Sequence, residues 1–103
     1  MLSEYLSKLP DEWANVSELF VALGDPQRQR ILLTFEPGER LNVTQLVSAS
    51  RLSRTAVSHH LKVLYQAGAL ESEKIGKEVY FWINKDYIIE TIQRVLNYLQ
   101  EKT

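Results

Sequence analysis

A change of hydrophobic period at Gly68 constrains this chain more than any other feature it carries. Before that glycine, Val57, Leu61 and Leu64 repeat at helical spacing behind Ser53. Ser53 reads as an N-cap and Gly68 as the stop of a helix from about Arg54 to Ala67. After it the pattern turns strand-like. Leu70–Ile75 and Glu78–Ile83 are two short runs joined by Ile75-Gly76-Lys77, and the second run is rich in β-branched and aromatic residues. A capped helix that feeds directly into a hairpin is the pattern of a helix-turn-helix followed by a wing.

The rest of the chain is helical by the same signals. Leu2, Tyr5, Leu6 and Leu9 make a stripe that Pro10 interrupts; Asp11 and Glu12 can open a new helix, continued by Trp13, Val16, Leu19, Phe20 and Leu23 up to Gly24. Asp25-Pro26 reads as an N-cap with proline at the first helical position. The helix it opens runs to about Phe35, with Ile31, Leu32 and Phe35 available for a core, and Glu36-Pro37-Gly38-Glu39 is a turn. Residues 43–50 form a short helix with Val43, Leu46 and Val47 inward, and Ser50-Arg51-Leu52 connects it to the capped helix. A last helix spans about 85–101. The predicted fold is mainly α: a winged helix-turn-helix of four helices, a β-hairpin wing and a C-terminal dimerisation helix. It occupies 1–103 as a single domain, with the helix-turn-helix at about 43–67, the wing at about 70–83 and dimerisation helices at about 2–23 and 85–101.

A length of 103 residues suits one domain. No apolar run approaches the ~20 residues of a membrane helix, and residues 1–10 lack the basic start and apolar block of a signal peptide. Cysteine is absent, which removes disulfides, thiolate metal sites and thiol redox chemistry. A cytoplasmic location is compatible with that. Net charge is only −1, but it is unevenly spread. Residues 1–25 hold five acids against Lys8. Residues 26–70 hold Arg28, Arg30, Arg40, Arg51, Arg54 and Lys62 against Glu36 and Glu39, a local +4. A positive middle third suits a surface that faces a polyanion.

Three stretches resemble a known family. Leu23-Gly24-Asp25-Pro26, followed by Arg28, Arg30, Ile31 and Leu32, is similar to the opening of the arsenic-repressor-like (ArsR/SmtB) winged-helix regulators of bacteria. The run from Leu52 through Ser53-Arg54-Thr55-Ala56-Val57-Ser58-His59-His60 to Leu64, then Ala67-Gly68-Ala69-Leu70, resembles their recognition helix and its exit. Gly76-Lys77-Glu78-Val79-Tyr80-Phe81 resembles the wing. The similarity covers about residues 16–85. It implies a homodimeric, sequence-specific DNA-binding transcriptional regulator, usually a repressor released by a small effector. The family's thiolate motif is missing: Arg40-Leu41-Asn42-Val43-Thr44-Gln45-Leu46 has Asn42 and Thr44 where the cysteines would stand. The alternative site on the last helix is missing too, since Tyr87 and Ile88 follow Asp86 and no histidine occurs after His60. Neutral Asn, Thr and Ile do not replace thiolates or imidazoles around zinc, so no metal site and no cofactor are expected.

With Val57, Leu61 and Leu64 inside, Arg54, Thr55, Ser58, His59 and Lys62 fall on the other faces of their helix, clustered in the half that reaches base edges in helix-turn-helix docking. Arg54 is suited to bidentate pairing with guanine, and Ser58 and His59 to base edges. Arg51, Ser53 and Lys62 suit phosphates, and Lys74 and Lys77 flank the hairpin tip within reach of an adjacent groove. Neighbouring His59 and His60 diverge around the helix and do not chelate one ion; His60 reads as a partly buried structural residue. Trp13 and Trp82 read as core or interface, and Glu71, Glu73 and Glu78 as solvated strand positions. No Ser-His-Asp set or glycine-rich phosphate loop points to an enzyme.

The end segments carry more apolar surface than a small interior can hide. Leu2, Tyr5, Leu6, Leu9 and Trp13 at one end, and Ile88, Ile89, Ile92, Val95, Leu96 and Leu99 at the other, are expected to pair across a two-fold axis. Two recognition helices would then lie roughly 34 Å apart on a palindromic site of double-stranded DNA. The partners expected are therefore double-stranded DNA and a second copy of the chain, with no membrane; the resemblance adds an unidentified small-molecule effector, the alternative being a regulator without effector that is controlled by its abundance. The competing reading is a winged-helix module for protein–protein contact without DNA. Arg51, Arg54 and Lys62 on a stretch free of acids from 43 to 70 weigh against it.

Overall fold

Each capped segment folds where its signals place it. The computed structural model describes residues 2–102, with backbone alone for Leu2, Ser3 and Lys102. The elements are α1 (Leu2–Ser7), α2 (Ala14–Leu23), α3 (Pro26–Thr34), β1 (Leu41–Asn42), α4 (Val43–Ala49), α5 (Arg54–Gln66), β2 (Leu70–Ile75), β3 (Glu78–Ile83) and α6 (Lys85–Lys102). This is the expected mainly α winged helix-turn-helix. The stretch read as helical from 2 to 23 is divided. Pro10 adopts an extended conformation (φ −55°, ψ 142°), and a 3-10 turn at Asp11–Trp13 restarts the helix.

The hairpin has a third strand that the sequence pattern does not announce. Leu41 and Asn42 pair antiparallel with Phe81 and Tyr80, so the sheet order is β1-β3-β2. The β2–β3 register runs from Leu70 opposite Ile83 to Ile75 opposite Glu78, with Gly76 supplying the positive φ of the turn.

The core lies where α5 crosses α2, α3 and α4. Val57, Leu61 and Leu64 are fully buried among Leu19, Ala22, Ile31, Phe35 and Leu46, each large aliphatic side chain contributing about 1.5–3 kcal/mol. α5 ends in a Schellman motif: the Ala69 N–H donates to the Leu64 carbonyl at 2.9 Å and the Gly68 N–H to the Tyr65 carbonyl at 3.1 Å. Gly68 has φ +86°, and a Cβ there would run into the Tyr87 ring of α6. That glycine therefore both reverses the chain into β2 and lets α6 lie against the end of α5.

The candidate nucleic-acid interface

The helix-turn-helix is built from two caps. Asn42 opens α4 with a capping box: its Oδ1 accepts from the Gln45 N–H at 2.9 Å, and the Gln45 Oε1 accepts from the Asn42 N–H at 2.9 Å. Sequence reading passed over this role, although Asn followed three residues later by Gln before an apolar run is its signature. One of the two positions where relatives would need thiolates thus holds a structural cap. The other, Thr44, accepts a hydrogen bond from Arg54 Nη1 at 3.2 Å. Ser53 opens α5 as expected, accepting from the Ala56 N–H at 3.1 Å. With the apolar stripe fixed inward, Arg51, Ser53, Arg54, Thr55, Ser58, His59 and Lys62 are all exposed, as are Lys74 and Lys77 on the hairpin.

The structure sorts the positive middle third into two groups. Arg28 is committed internally. Its Nε donates to the Ala22 carbonyl at 2.7 Å and its Nη2 to the Val21 carbonyl at 3.2 Å, while Nη1 lies 3.4 Å from His60 Nδ1. With Gln29 Nε2 on the Leu23 carbonyl, α3 thereby satisfies the carbonyls left open at the end of α2. His60 is partly buried, in line with a structural role. Asp25 caps α3, accepting from the Gln27 and Arg28 N–H groups at 2.7 and 3.3 Å. Burial pushes its carboxyl upward, but these two donors and the charges of Arg28 and His60 outweigh that and hold it below the usual carboxylate range.

Arg40 is committed too. Its guanidinium stacks 3.9 Å from the Trp82 ring centroid and donates to Glu73 Oε2 at 2.9 Å. Trp82 Nε1 in turn donates to Glu71 Oε2 at 2.8 Å. Glu71 and Glu73 are therefore partnered as well as exposed, and Trp82 belongs to this cluster. Arg30, Arg51, Arg54 and Lys62 remain without a carboxylate partner among the described residues.

The apolar end segments divide likewise. Ile88 and Ile92 pack against the chain's own core. Tyr5 and Leu6 are 71% and 86% exposed, Leu9, Ile89, Leu96 and Leu99 about half exposed, and Val95 partly buried. The Leu2 side chain lies outside the described residues. Trp13 meets Tyr98 edge to face at 5.4 Å, so the approach to α2 and the end of α6 share one apolar ridge. Among the described residues no group of three His, Cys, Asp or Glu side chains is placed to hold a metal ion, and no helix is long and apolar enough to cross a membrane.

The bacterial regulatory protein model of the arsR family matches residues 25–72, the span from the Asp25 cap to the first residues of β2. The transcriptional repressor SmtB homolog of Synechocystis is 31% identical over 88% of this chain and 68% of its own length. The transcriptional repressor PagR of Bacillus anthracis is 32% identical over 94% and 91%. Among solved structures, an ArsR-like transcriptional regulator from Rhodococcus sp. RHA1 superposes with a TM-score of 0.79 at 26% identity, covering 86% of this chain and 83% of that one.

Proposed function

Because this chain belongs to the arsR family of bacterial regulatory proteins, we propose that it is a DNA-binding transcriptional repressor that acts as a cytoplasmic homodimer on a palindromic operator. α5 enters the major groove. Arg54, Thr55, Ser58 and His59 meet base edges, while Arg51, Ser53 and Lys62 meet phosphates. Lys74 and Lys77 bring the wing to the flanking duplex. The observation that carries this reading is the two-sidedness of α5: Val57, Leu61 and Leu64 anchor it in the core, so its exposed face of short hydroxyls and unneutralised cations is held rigidly outward. Tyr5, Leu6, Leu9, Ile89, Leu96 and Leu99, with Leu2, Trp13 and Val95 beside them, form the dimer face; Ile88 and Ile92 brace it from the core side. An unidentified small-molecule effector releases the DNA, by chemistry other than thiolate–metal ligation.

Titrations against labelled duplexes selected from a random pool test this. Arg54→Ala should lose about 1–3 kcal/mol of preference for selected over random sequence. Lys62→Ala should weaken both alike and lower the slope of log affinity against log salt by about 0.9. Wild-type protein that binds no duplex even at low salt would instead favour a protein-contact module.

A further inference from the structure

Among the described residues, Arg30 is the one unneutralised cation of the middle third that lies outside the helix-turn-helix. It sits on the exposed side of α3, where its Nη1 donates to Gln27 Oε1 at 3.2 Å. It nevertheless shares a groove with Arg51. The groove runs between α3 and the turn joining α4 to α5: Gln27, Arg30 and Thr34 form one wall, Ser50 and Arg51 the other, and Leu46 lies in its floor. No acidic residue lines it.

This lining selects its occupant. Two guanidiniums, the Ser50 hydroxyl and the Gln27 amide offer donors to an anion with several oxygens, while the Thr34 hydroxyl is spent on the Arg30 carbonyl; planar guanidinium forks fit phosphate oxygens in pairs. The position selects the source. The lining includes Arg51 and Leu52, immediately before Ser53 and the N-terminal end of α5, the end that the functional reading above puts in the major groove. A strand bordering that groove must pass the turn. We propose that the Arg30–Arg51 groove seats a backbone phosphate of the bound duplex, making α3 a third DNA-contacting element beside α5 and the wing. The inference rests on the DNA-binding reading above and adds a positioning contact to it, one that carries no sequence information of its own.

Fluorescence anisotropy with a labelled duplex over a salt series tests it, with thermal melting as the check on folding. Arg30→Gln should lower the salt slope by about 0.9 and weaken binding several-fold on selected and random sequences alike. Arg30→Lys should keep the slope, because the charge remains. Both variants should melt with the wild type, since Arg30 supports no buried contact. An unchanged slope in Arg30→Gln, beside a lowered one in Lys62→Ala, overturns the groove and leaves the functional reading standing. So does a slope lowered equally by Arg30→Lys, because the retained charge would still neutralise a phosphate seated there, the lost fork showing only in affinity. If inorganic pyrophosphate raises the melting temperature through Arg30 while the duplex slope ignores that residue, the groove holds a small anion and the proposal fails. Wild-type protein that binds no duplex at any salt removes the functional reading and the groove with it.

Discussion

Arg28, with a side chain only 13% exposed, spreads its guanidinium over two carbonyls of α2 and reaches His60 of α5. The Asp25 carboxylate that caps α3 lies 3.8 Å from it. This pair fastens the end of α2 to the start of α3. The depressed pKa of Asp25 fixes the sign of its pH dependence. Its contribution to stability is complete above the ordinary carboxylate value of 3.8 and is lost as pH falls from there through the lower folded value. Asp25→Asn keeps an oxygen for the cap and removes the titration. Urea midpoints from pH 5 down to pH 2 should therefore fall less steeply for this variant than for wild type; parallel curves would show that the carboxylate charge adds nothing. Gly68 governs the next junction. Gly68→Ala places a methyl group at positive φ against the Tyr87 ring, and should cost about 2–4 kcal/mol in chemical denaturation. Gly38→Ala and Gly76→Ala, also at positive φ but in open space, should cost about 1 kcal/mol.

At the level of elements, the wing is held to the helix-turn-helix by more than its hairpin. β1 supplies two residues of ladder, and Arg40, just before it, grips Trp82 and Glu73 from outside. The ion pair is exposed, so Arg40→Met should cost no more than about 1–2 kcal/mol of stability. Its effect belongs to the wing: Trp82 emission should shift red and quench more readily by iodide in a Trp13→Phe background. Lys77→Ala should cost less DNA affinity when Arg40 is already Met, because a loosened wing no longer presents that lysine. Additive losses would show that the tether does not position it. The same elements show what sequence pattern can and cannot reveal. Asp25 and Ser53 announce helix starts because the side chain that does the capping is itself the signal, and Gly68 announces an end because its lack of a side chain is what admits the positive φ. β1 has no readable period, since two residues cannot alternate. The partners of Arg28 and Arg40 lie on other elements, so their charges look free in sequence and only the fold shows them occupied. Which apolar residues of α6 face inward is hidden for a similar reason: the stripe is broad, and only the placement of α2 and α5 sends Ile88 and Ile92 to the core and leaves Ile89 and Leu96 outside.

The whole molecule is long for its size. Its radius of gyration is 16.0 Å and its extents are 51 × 24 × 23 Å, whereas a compact chain of this length would measure about 13 Å. The extra length accompanies exposed apolar side chains at both ends of the chain, the surface that the proposed dimer would cover. Ile89→Glu with Leu96→Glu, at positions 54% and 44% exposed, should leave the fold intact and yield monomers in sedimentation. The affinity for a palindromic duplex should fall about a hundredfold or more, because two half-sites are no longer gripped together. A dimer surviving both charges would place the interface elsewhere. The capping box at the head of α4 carries a consequence over evolutionary time. Replacing Asn42 by cysteine, the first move toward ion-sensing chemistry of the thiolate kind, would strip α4 of its cap and cost about 1 kcal/mol before any ion could bind. Descendants of such a chain face an uphill first mutation toward that sense, and a gentler slope toward inventing another.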